Sequence, residues 1–82
     1  MLKIKDNIDL KELEKFGFEF ERGTTYIKPF KCNDTYIVVS ECDLRIIDIE
    51  IDIFDREYEI NKIADTLFDL IQAGLVEKVE NE

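Results

Sequence analysis

The sequence predicts an α+β domain: an antiparallel β meander with a short N-terminal helix and a longer C-terminal helix packed on one sheet face. Three observations carry this. Residues 18–54 hold four runs rich in β-branched and aromatic residues, with turn residues between them. Apolar residues at helical spacing lie on either side of that block, around Leu13 and around Leu67. The 82 residues include three Gly and one Pro, so few places break the chain. A chain of this length buries only about 60–65% of its unfolded surface, which allows one core and a single domain over residues 1–82. A hydrophobic fraction of 45% is ordinary for a globular domain.

In order, Leu2-Lys-Ile-Lys5 alternates apolar and basic residues and predicts a short first strand. Asp6 and Asn7 turn the chain. Asp9 is placed to N-cap a helix, with Glu12 three residues on to close a capping box. Leu10, Leu13 and Phe16 form a narrow stripe, and Gly17 ends the helix where a left-handed residue is wanted. Phe18 and Phe20 alternate with Glu19 and Glu21 as a strand. Thr24–Phe30 is the next strand, with Pro29 predicting an edge position. Asn33-Asp34 turns into Thr35–Ser40, apolar and β-branched enough to be central.

Residues 44–54 read as the clearest strand. Ile47, Ile49, Ile51 and Ile53 fall on one face and need cover. Leu44, Ile46, Asp48, Glu50, Asp52 and Phe54 fall on the other. Residues 55–59 are a charged connector or the start of the last helix. That helix runs from an N-cap at Asn61 to Ala73, with a wide stripe of Ile63, Ala64, Leu67, Phe68, Leu70 and Ile71. Gly74 caps it, and Leu75–Val79 closes the fold as a strand.

Charge limits the functions open to the chain. It has 11 basic and 20 acidic residues, a net charge of −9. Residues 1–31 hold seven bases and six acids; residues 32–82 hold four bases and fourteen acids. Direct nucleic-acid binding is disfavoured, because its main affinity term comes from Lys and Arg neutralising phosphates. A basic partner is favoured through long-range steering. Asp65 and Asp69, on the wet side of the last helix, argue against its reading DNA. No run approaches the roughly 18 apolar residues of a membrane span. Met-Leu-Lys-Ile-Lys-Asp has charge but no apolar core, which predicts no secretory signal and a cytoplasmic location in the producing or host cell. Cys32 and Cys42 fall at opposite ends of the expected hairpin, about 25 Å apart at 3.3 Å per strand residue, so both are expected to be free thiols.

Catalytic chemistry has little to build on. There is no His, hence no imidazole base or ligand. The glycines stand alone at 17, 23 and 74, so no Gly-rich phosphate loop exists. No catalytic residue, metal site or cofactor is expected. The one ordered constellation is Asp48, Glu50 and Asp52, spaced about 6.7 Å apart on one strand face, with Asp55, Glu57 and Glu59 extending the row. That spacing resembles the charge repeat of a nucleic-acid backbone and would suit a groove built for phosphate. An ordinary solvated strand face explains the same pattern if Lys28, Lys31 or Arg45 on neighbouring strands neutralises it. Tyr26, Tyr36 and Tyr58 are expected to pack as strand residues.

Two segments carry a resemblance. Residues 4–18, Ile-Lys-Asp-Asn-Ile-Asp-Leu-Lys-Glu-Leu-Glu-Lys-Phe-Gly-Phe, and residues 64–79, Ala-Asp-Thr-Leu-Phe-Asp-Leu-Ile-Gln-Ala-Gly-Leu-Val-Glu-Lys-Val, resemble the ends of small phage and prophage proteins of low-GC Gram-positive bacteria. The resemblance implies a phage context, in which small acidic proteins often block host defence nucleases, the anti-CRISPR proteins among them. The expectation is a non-enzymatic inhibitor that docks an acidic face on a basic host protein, such as a nuclease or another nucleic-acid-binding protein. The alternative is a phage structural or assembly protein that self-associates as a homodimer through a sheet edge or an apolar patch.

Overall fold

The structure is a computed structural model that describes residues 1–31, 34–51 and 57–79, with side chains from residue 60 onward in the last segment. The fold is α+β. Strands β2 (Glu19–Arg22), β3 (Thr25–Pro29), β4 (Tyr36–Ser40) and β5 (Asp48–Glu50) form an antiparallel meander in that order. Strands β1 (Leu2–Ile4) and β6 (Val76–Lys78) pair antiparallel as a second, two-stranded sheet. One stretch of chain joins the two sheets. Ile46 bridges to Lys3, with Ile4 N–H donating to the Arg45 carbonyl and Ile47 N–H to that of Leu2. Two residues later the same stretch pairs with β4.

The first helix is a 3₁₀-helix, Leu10–Phe16, rather than α. Seven residues pinned at both ends suit the tighter form. Asp9 caps it as expected, its carboxylate accepting from Lys11 N–H. The capping box does not close on Glu12, whose carboxylate turns to Lys15 at 2.8 Å. At the far end Gly17 is left-handed (φ 91°), with Gly17 N–H bonding the Glu14 carbonyl and Phe18 N–H the Leu13 carbonyl. That pair of bonds is a Schellman motif, and its apolar partners Leu13 and Phe18 are both buried.

Helix α1 spans Glu57–Gln72, five residues longer at its start than a cap at Asn61 would allow. No Gly or Pro interrupts residues 57–61, and acids in a first turn favour the positive end of the helix dipole. Its C-terminus repeats the first motif. Gly74 (φ 80°) donates to the Ile71 carbonyl and Leu75 to that of Leu70, with Leu70 and Leu75 both buried. The core gathers Ile4, Leu10, Leu13, Phe18, Ile37, Val39, Ile47, Ile63, Leu70 and Leu75. Burying one such side chain fully is worth about 1.5–3 kcal/mol. The wide stripe expected on α1 is narrower: Ile63, Thr66 and Leu70 are buried and Leu67 is half-buried, while Ile60, Ala64, Phe68 and Ile71 face water.

Pro29 is not on an edge strand, since β3 lies between β2 and β4. Phe30 N–H donates to the carbonyl of Thr35, the residue just before β4, so the Pro29 nitrogen faces the opposite side. There the β2 pairing has already ended, at Glu19–Ile27. The missing donor falls on a local edge inside a central strand.

The long strand over 44–54 is the main correction. Glu41–Asp43 is a 3₁₀ turn capped by Ser40, and Leu44 and Arg45 are both left-handed (φ 61° and 64°). Regular pairing begins only at Asp48. Alternation specified the faces but not the start, because Arg45 ties this stretch elsewhere. Its Nη1 donates to the carbonyls of Lys5 and Ile8, both at 2.6 Å, and its Nε and Nη2 reach Glu41 at 2.8 and 2.6 Å. Of the Ile face, Ile47 is buried, but Ile49 and Ile51 remain 37% and 46% exposed. β5 is the outermost strand of its sheet, so little lies beyond it to cover them. Residues 52–54 of the expected strand lie outside the described residues.

Candidate protein-binding face

The sheet register defines the outer face. One row runs Glu19, Ile27, Val38, Asp48 across the four strands; the next holds Pro29, Tyr36 and Glu50. Thr25 and Ser40 close the row at the other end, their hydroxyls 3.2 Å apart. The centre is therefore half-buried apolar surface, Ile27, Val38 and Tyr36. Exposed carboxylates flank it, Glu19 on one side and Asp48 and Glu50 on the other.

Asp48 and Glu50 are the two members of the acidic row that the structure places on a strand, and both are exposed. Asp52 and Asp55 lie outside the described residues. Glu57 and Glu59 belong to the first turn of α1, so the backbone there no longer follows the strand. The neighbours directly across from Asp48 and Glu50 are Val38 and Tyr36, both uncharged.

None of the cations that could have neutralised the row does so. Lys28 pairs with Ile37 on the opposite face and donates its Nζ to the Phe16 carbonyl at 3.0 Å. Arg45 is committed to Glu41 and two carbonyls. Among the described residues, ion pairs link Lys3 to Asp6 and Glu77, Lys15 to Glu12, and Arg45 to Glu41. Asp48 and Glu50 take part in none of them.

Next to Asp48 lies a shallow depression of about 360 Å³, lined by Met1, Cys42, Asp43, Leu44 and Ile46 with Asp48 itself. Leu44 is 72% exposed there, because its left-handed backbone lifts it out of the strand. Leu44 and Ile46 were expected beside the acids and are; Phe54 lies outside the described residues. Met1, Asp43 and the strip of Ile27, Val38 and Tyr36 had no signal in the sequence, since only the register brings them to this face.

Cys42 is a free, exposed thiol, and Cys32 lies outside the described residues. Tyr26 packs edge-to-face on Phe20, ring centres 5.6 Å apart. Among the described residues no group of three or more His, Cys, Asp or Glu side chains is placed to hold a metal ion. No helix among them is long and apolar enough to cross a membrane. Compared with known proteins, the chain matches no family model, no curated protein sequence and no solved structure.

Proposed function

We propose that the protein is a non-enzymatic binding module whose outer sheet face docks on a basic, nucleic-acid-binding surface of another protein, as an inhibitor would. The observation that carries the reading is the unpaired Asp48–Glu50 row beside the apolar depression of Met1, Leu44 and Ile46. Carboxylates without internal cations keep their full field for a partner and give specificity and on-rate. An apolar patch next to them supplies the area that charge alone does not. The spacing of about 6.7 Å between alternate strand residues suits a groove that normally takes phosphates. An anti-CRISPR-type action on a host defence nuclease is the specific form of this reading, and it rests on the phage context of the resemblance.

The test compares wild type with Asp48→Lys/Glu50→Lys in quantitative capture from a Gram-positive host lysate, with circular dichroism to confirm the fold. Captured proteins should be basic, released by salt, displaced by added nucleic acid, and reduced more than tenfold for the variant. Exposed charges are screened beyond about 10 Å at 0.1 M salt, which sets the expected salt range. Capture that the double reversal leaves unchanged, or that nucleic acid does not displace, sinks the reading.

A second reading, self-association as a structural protein, is favoured by Ile60, Ala64, Phe68 and Ile71, four exposed residues along one flank of α1. Sedimentation separates the two readings, because a salt-insensitive homodimer belongs to the second.

A further inference from the structure

Helix α1, across the core from the outer sheet face, carries an apolar strip that the fold leaves exposed. Ile63 and Leu70 turn into the core with Ile37 and Val39. Ile60, Phe68 and Ile71 remain 48%, 59% and 50% exposed, and Ala64 is exposed among them. At 3.6 residues per turn these four positions share an arc of about 80°. Half-buried Leu67 joins that arc to the core side. The charged residues Lys62, Asp65 and Asp69 fall about 60° or more beyond its other border, with the uncharged Asn61 and Gln72 nearer to it.

The order of side-chain sizes along the strip selects what can cover it. Ile60, Ala64 and Phe68 form one ridge at i, i+4 spacing, with Ile71 beside it. An antiparallel copy of the same helix, turned about a point level with Thr66, sets Phe68 over Ala64 and Ala64 over Phe68. Each alanine leaves the hollow that the other copy's ring fills, so one fit is made twice. Ile71 then meets the Ile60 end of the other helix. A parallel copy would stack Phe68 on Phe68 and Ala64 on Ala64, a clash beside a void. Alanine at the middle of the ridge also lets two helix axes come within the short end of the usual range of about 8–10 Å.

We infer, building on the self-association reading above, that a second copy of this chain covers the strip, α1 against α1 antiparallel, with Phe68 of each copy seated on Ala64 of the other. Three large side chains and one alanine per copy fall short of the roughly 800 Å² per partner of a standard interface, so the dimer is weak. Each copy also carries a net charge of −9, which opposes association. Salt screens that repulsion beyond about 10 Å at 0.1 M and leaves the apolar contact in place, so salt does not loosen the dimer. The Asp48–Glu50 face takes no part in it.

The test is sedimentation equilibrium of the full chain from about 10 µM to 1 mM, with circular dichroism of each variant to confirm the fold. Wild type should dimerise reversibly, and no more weakly at about 0.5 M than at about 0.1 M salt. Phe68→Ala and Ala64→Phe, both at exposed positions, should each weaken the dimer at least fivefold, one by emptying the hollow and the other by filling it. The double variant Ala64→Phe/Phe68→Ala exchanges the two partners and should return the dissociation constant to within threefold of wild type. Amide shifts between dilute and concentrated wild type should cluster at residues 60–72. A wild type that stays monomeric overturns both the inference and the self-association reading. A dimer that Phe68→Ala leaves unchanged, or whose shifts cluster away from residues 60–72, overturns the α1 interface alone. A double variant no tighter than Phe68→Ala overturns the antiparallel seating.

Discussion

Two corners of the molecule are built from the same local code and end in different surroundings. At residues 13–18 and again at 70–75 the order is Leu, three residues, Gly, then Phe or Leu. Both make the same pair of bonds around a left-handed glycine, and both bury the residues that flank it. The first ends a seven-residue 3₁₀-helix and the second a sixteen-residue α-helix. A Cβ on Gly17 would lie 2.6 Å from the Lys28 ammonium, whereas one on Gly74 would meet nothing within 4 Å. A C-terminal cap is therefore a local device that works on either kind of helix. What surrounds the cap is decided by the strand that happens to cross it.

The most severe way to break both corners is to remove their apolar partners. Leu13 and Leu70 are each fully buried, so Leu13→Ala and Leu70→Ala should each cost about 2–5 kcal/mol, read as a lower urea midpoint. Small domains hold roughly 5 kcal/mol in total at the low end, so either variant should be partly unfolded at 37 °C. A loss at one site below about 1 kcal/mol would mean that its corner is not part of the shared core.

Substituting the glycines sharpens the difference. Gly74→Ala should cost about 1–2 kcal/mol, the strain of a side chain in the left-handed region. Gly17→Ala carries the same strain and also displaces Lys28 from Phe16 O, an extra loss of about 1 kcal/mol. In a Lys28→Met background the two substitutions should become equal within about 0.5 kcal/mol. Equal costs in the wild-type background would show that the lysine swings aside without loss.

The smallest effect concerns the pair that ties the strands beside both corners. Lys3 on β1 bonds Asp6 at 2.9 Å and lies 3.7 Å from Glu77 on β6, the strand that follows the second corner. The hydrogen bond from Lys3 holds the Asp6 carboxyl below its ordinary range, and the same bond raises the Lys3 ammonium. The Asp6 contribution to stability is present above its unfolded pKa and disappears as pH falls through the lowered folded value. The Lys3 contribution is present below the ordinary lysine value and disappears as pH rises through the raised one. Asp6→Asn should flatten the acid limb of the urea midpoint below about pH 4. An acid limb unchanged by this substitution would assign it to other carboxylates.

Much of the fold was legible because its signals are local. Asp9, Gly17 and Gly74 act on backbone groups a few residues away, and the apolar, β-branched run in Thr35–Ser40 marked a central strand. The misread stretch is 44–54, where alternation is strong but a distant tie intervenes. Arg45 binds carbonyls at Lys5 and Ile8, forty and thirty-seven residues away, so the chain turns left-handed before the strand begins. Asp48 and Glu50 were legible as a pair of exposed acids by period two alone. Their uncharged neighbours Val38 and Tyr36, and the depression at Met1 and Leu44, required the register.

The sequence by itself determined the α+β class, the glycine caps that end both helices, the central strand and the excess of acid after Lys31. Those properties depend on side chains acting on their own backbone or on their own strand face. The tertiary structure alone decided which charges meet. It turned Lys28 toward Phe16 and away from the acids, and it brought Lys31 and Lys62 to one groove across a gap of thirty residues. Contacts of that range depend on strand order and register, which no short stretch of this chain encodes.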